Sequence, residues 1–118
     1  MSPAHPYSAA VEAVLSALQA GTEPARHELR DAVRALLSDL AVRAPGRSVE
    51  VRVPPYGAIQ CVAGPRHTRG TPPNVVETDP VTWVELATGR LGWEQAQRSG
   101  RVVASGVRTD LSAYLPLL

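Results

Sequence analysis

The C-terminal third of the chain constrains its fold most. From Asp79 to Leu118 it reads DPVTWVELATGRLGWEQAQRSGRVVASGVRTDLSAYLPLL, with a glycine at nearly every boundary between differently patterned segments. Asp79 is suited to cap a helix whose first residue is Pro80, where a missing N–H leaves no helical bond unmade. Gly89 suits the left-handed position that ends such a helix. A short helical segment follows from Trp93 to Ser99 and stops at Gly100. Arg101 to Val107 reads as a β-branched strand. Asp110 then opens a final short helix, Leu111 to Leu115, halted by Pro116.

Upstream the hydrophobic period changes twice. Val11, Val14, Leu15 and Leu18 fall at i, i+3, i+4 and i+7, which predicts a helix over Ser8 to Ala20, ended by Gly21. Thr22 or Glu23, ahead of Pro24, marks a restart. Leu29, Val33, Leu36, Leu37 and Leu40 carry a second helical stripe to Arg43. The short connection makes an αα-hairpin. After the Pro45-Gly46 turn, Val49, Val51 and Val53 alternate with Glu50 and Arg52, the mark of a strand with one wet face. Pro54-Pro55-Tyr56-Gly57 turns the chain into a second strand, Ala58 to Ala63, paired as a hairpin. Gly64 to Pro73 reads as a loop and Asn74 to Glu77 as a third strand. The expected fold is therefore α+β. Residues 1–118 form one domain, with a helical pair in 1–44 and, in 45–118, a small, mainly antiparallel sheet with helices on one face.

Composition removes several classes of function. The formal net charge is +1, so nothing draws the chain to nucleic acid or to an acidic membrane surface. All twelve basic residues are arginine and phenylalanine is absent, a bias of GC-rich coding that makes arginine usage weak evidence for arginine-specific chemistry. The row Arg26, Arg30, Arg34 at i+4 spacing reads as a solvated helix face or as a surface for an anionic partner. The single cysteine, Cys61, excludes an intramolecular disulfide and fits a reducing cytoplasm. Its alternation with Ile59 makes it a buried thiol. No apolar run approaches a bilayer span, so no stable membrane insertion is expected. Met1 to Tyr7 has no basic region and Glu12 interrupts Ala9 to Leu18, so no secretory signal is expected either. The terminal Leu115-Pro116-Leu117-Leu118 is not a peroxisomal address.

Two groups of residues carry the candidate chemistry. Arg66, His67, Arg69 and Thr71, between Gly64 and Pro73, form the most polar concentration in the chain. Their donors can fork onto a carboxylate or phosphate. They can equally pair with Glu50, Glu77, Asp79 or Glu85 and brace the loop. Trp83, Leu86, Trp93, Leu111, Tyr114 and Leu115 can line an apolar pocket, or can be ordinary core. Cys61 and His67 make a poor nucleophile pair, since the thiol points inward. The three histidines show no metal-ligand spacing, so neither metal nor cofactor is expected.

Taken in order, Asp79, Gly89-Arg90-Leu91, Ala96, Gly100, Ala104, Gly106 and Leu111 to Leu115 resemble the C-terminal half of sterol carrier protein domains. With the central GPRHTRGTPPNVVETDP, the chain is similar to the short bacterial stand-alone branch of that family. The resemblance covers Pro45 to the end. It implies non-enzymatic binding or carriage of a lipid or other apolar small molecule between sheet and helices, with an anionic head at the Arg66–Arg69 loop. A module with a filled core for structural or protein contacts is the second reading. An accessory to an enzyme acting on thioesters or organic acids is the third. Family members usually have five strands and a cavity rich in Phe and Met. Here four strands are predicted, phenylalanine is absent and the last helix is short, which points to a ligand smaller than a sterol.

Overall fold

The N-terminal helices are fixed first by their ends. The computed structural model describes residues 8–64 and 74–117. Helix α1, Ala9–Gln19, starts at Ser8, whose hydroxyl accepts a hydrogen bond from the Val11 N–H. Helix α2, Arg26–Arg43, begins later than the Thr22 or Glu23 restart expected from sequence. Thr22 belongs to the preceding turn instead: its N–H and hydroxyl both donate to the Ala17 carbonyl. Glu23 precedes a proline, which favours extended backbone there. Val11 and Val14 of α1 are buried, and so are Val33, Leu36, Leu37 and Leu40 of α2, so both predicted stripes face the core. Of the arginine row on α2, Arg34 donates to the Tyr56 carbonyl and Arg30 pairs with Asp31, both at the surface.

Four strands form one mixed sheet, in the order β2-β1-β3-β4. Strand β1, Val49–Val53, pairs antiparallel with β2, Gly57–Cys61, through a turn at Pro54-Pro55-Tyr56. Strand β3, Asn74–Thr78, lies parallel to β1, and β4, Val102–Ser105, returns antiparallel to β3. The expected mainly antiparallel character holds, with one parallel pair at the centre. Val49, Val51, Val53, Cys61, Val76 and Val102 are buried beneath the helices. Arg52, Ala58, Gln60, Glu77 and Val103 face the other way and are exposed.

Helix α3, Pro80–Thr88, has the predicted ends. Asp79 accepts from the Thr82 N–H and hydroxyl, and Gly89 takes φ +83°. Helix α4 spans Trp93–Arg98. Strand β4 is shorter than the expected Arg101 to Val107. It ends where the Asn74 side chain intervenes: its Oδ1 accepts from the Arg108 N–H, and its Nδ2 donates to the Ser48 carbonyl. Val107 is left in solvent.

The final helix expected over Leu111 to Leu115 is replaced by a single turn. Asp110 accepts from the Ser112 N–H only two residues on, a local turn rather than a helix cap. Hydrogen bonding from the Ser112 hydroxyl, and then from its N–H, holds the Asp110 carboxyl below its ordinary pKa. Pro116 supplies no N–H to lengthen the turn. The Leu117 N–H instead donates to the Ala87 carbonyl at 2.9 Å, fastening the tail to the end of α3 with Leu111 and Leu117 buried.

Candidate functional site

The apolar residues proposed as cavity walls all belong to the hydrophobic core or pack against it. Helix α3 turns Trp83 and Leu86, three residues apart, into the core, α4 contributes its first residue, Trp93, and the tail adds Leu111. Tyr114 and Leu115 pack half-buried against the same cluster. Arg66, His67, Arg69 and Thr71, the polar half of the expected site, lie outside the described residues.

The two tryptophans differ in one respect that sequence does not reveal. Trp83 is 1% exposed and its indole N–H donates to the Val33 carbonyl of α2 at 3.3 Å. Trp93 is 7% exposed, yet its Nε1 has no acceptor. Among the described residues it is the one buried side-chain nitrogen or oxygen without a partner. The buried hydroxyls are all engaged: Ser48 donates to the Val62 carbonyl, Thr78 to the Arg101 carbonyl and Thr82 to Asp79. Leaving a buried donor unsatisfied costs about 1–3 kcal/mol.

A polar chain borders this cluster and joins α3 to the start of β4. The Arg101 guanidinium donates through Nε to Thr82 Oγ1 and through Nη2 to Glu85 Oε1. Arg90 takes the other Glu85 oxygen at 3.1 Å and reaches the Leu18 carbonyl. Asp79, Glu85 and Glu50 thus have partners within the described residues, Glu50 being paired with Arg52.

Two surface clefts lie elsewhere. One, of about 280 Å³, opens at the carboxyl ends of β1 and β3, between Pro54, Glu77, Thr78, Asp79, Arg101 and Val103. The other, of about 300 Å³, is lined by Arg52, Pro54, Pro55, Gly57 and Ala58. Neither includes a residue proposed from the sequence as ligand-binding. The first exists because the parallel register brings Pro54 beside Asp79, a juxtaposition no local pattern encodes. Its hydroxyl, on Thr78, and its guanidinium, on Arg101, are already bonded within the protein. Among the described residues, no three His, Cys, Asp or Glu side chains gather to hold a metal ion.

Cys61 is fully buried, and desolvation pushes its thiol up to about 11, so the reactive thiolate is scarce at neutral pH. A thiol reagent at pH 8 is expected to leave Cys61 unmodified in the native protein and to label it completely in denaturant. Rapid labelling of the native protein would contradict that placement.

No helix among the described residues is long and apolar enough to cross a membrane. Comparison with curated proteins finds no match. The family model described as "Bacterial SCP ortholog" matches residues 25–117, from the threshold of α2 to the end of the tail. Helix α2, the four-stranded mixed sheet and helices α3 and α4 fill that span, and the chain belongs to the bacterial SCP ortholog family of sterol carrier-like domains.

Proposed function

We propose that the protein is a non-enzymatic carrier of a lipid or other apolar small molecule, held between the sheet and its helices. Membership of the family supports this reading. The observation that carries it is the buried indole N–H of Trp93, left without an acceptor among apolar residues. Apolar contact at about 25 cal/mol per Å² would supply most of the affinity. A single polar contact would orient the ligand. A charged head group, on ligands that have one, would sit with Arg66, His67, Arg69 and Thr71.

A second reading, a filled-core module without a ligand, has its own support in Trp83. That indole is fully engaged with Val33 and fills the space between α2 and α3. Native mass spectrometry of the freshly purified protein separates the two. A carrier is expected to retain a co-purified apolar compound, or to bind members of a lipid panel with a rise in melting temperature. No bound mass and no thermal shift across the panel would leave the filled-core module.

A further inference from the structure

We infer that Trp93 selects the ligand's chemistry: its indole N–H takes an uncharged oxygen, the carbonyl of an ester or thioester, rather than a carboxylate. This rests on the carrier reading and names what the apolar site accepts.

Three observations lead there. Trp93 Nε1 is buried and unpartnered among the described residues, while Trp83, on the same cluster, is satisfied by Val33. One neutral donor matches one carbonyl oxygen. A carboxylate brought into the same apolar surroundings would need several donors or a cation to offset its lost hydration. Two cations that flank α4 are committed elsewhere. Arg90, ahead of α4, is held by Glu85 and the Leu18 carbonyl. Arg101, after it, is held by Glu85 and Thr82. The residue following Trp93 is Glu94, whose charge further opposes an anion at this helix start. A charged group on the same molecule must therefore lie away from Trp93, toward solvent.

The probes are methyl laurate, laurate and dodecane, which share a chain length and differ at one end. In protein labelled with ¹⁵N at the tryptophan indoles, methyl laurate should move the Trp93 N–H resonance downfield, as a newly bonded proton does. Dodecane should leave it near its free position. The Trp83 resonance, already hydrogen-bonded, should hold still, and Trp93→Phe assigns the pair. Trp93→Phe should also bind methyl laurate roughly five- to tenfold more weakly, with dodecane unaffected. Equal movement of the Trp93 resonance by ester and alkane, or movement by laurate alone, would overturn this inference while leaving carriage intact. So would unchanged ester affinity in Trp93→Phe. Absence of any bound probe, by mass and by both resonances, would remove the carrier reading and this inference with it.

Discussion

Gly46→Ala is expected to lower stability by roughly 3–5 kcal/mol, a large share of what a domain of this size has. Gly46 sits at φ +149°, and a Cβ there would lie 2.1 Å from the Val62 carbonyl oxygen and 2.5 Å from the Ala63 nitrogen. Both are backbone atoms, so no side chain can swing aside. Val62 itself is held at φ +67°, an unusual conformation for a β-branched residue. Its N–H donates to the Ala44 carbonyl, and its carbonyl accepts from the Ser48 N–H and hydroxyl. Making room for the methyl breaks these three bonds, each with a net contribution of about 0.5–1.5 kcal/mol. Backbone strain adds to the loss. Urea unfolding checks it: an unchanged midpoint would mean that the Ala44–Ser48 segment does not rest on Val62.

Trp83→Ala should cost about 3–5 kcal/mol through the void it leaves between α2 and α3. Trp83→Phe should cost less, mainly the bond to Val33, about 1 kcal/mol. Trp93→Phe should behave differently, because it removes a donor that has no partner. Its ligand-free stability is expected to equal or slightly exceed that of the parent. Thermal melts of the three variants give the order directly. If Trp93→Phe were as damaging as Trp83→Phe, the two indoles would be equally satisfied and the asymmetry on which the ligand argument rests would disappear.

Much of this architecture is legible in short windows of sequence. The valines at 49, 51 and 53 and the Asp79–Pro80 start of α3 depend on neighbours within one turn or one strand, and they read correctly. What depends on distant partners does not. The parallel pairing of β1 with β3 is set by chain returning past β2, so Val49 to Val53 read the same in either orientation. Leu111, Leu115 and Leu117 fit a helix or a pinned tail equally well. The bond from Leu117 to Ala87, thirty residues back, decides between them. At the site, both tryptophans read as apolar anchors. Only the location of an acceptor carbonyl, present for Trp83 and missing for Trp93, tells them apart. The loop carrying Arg66, His67, Arg69 and Thr71 lies outside the described residues, so its choice between anion binding and internal bracing rests on sequence alone.

The strand order β2-β1-β3-β4 also divides the molecule along its middle. Everything left of the β1–β3 seam comes from the first half of the chain, and everything right of it from the second. Each half can assemble from near neighbours: the helical pair and β-hairpin on one side, β3-α3-α4-β4 on the other. Joining them requires β1 to meet β3, Trp83 to reach Val33 and Asn74 to reach Ser48. These contacts close loops of about 25 to 50 residues, so they weigh on the folding rate more than any helix or hairpin does. The same seam makes two locally plausible halves into one cooperative unit, since neither completes the burial of its apolar face until the other arrives.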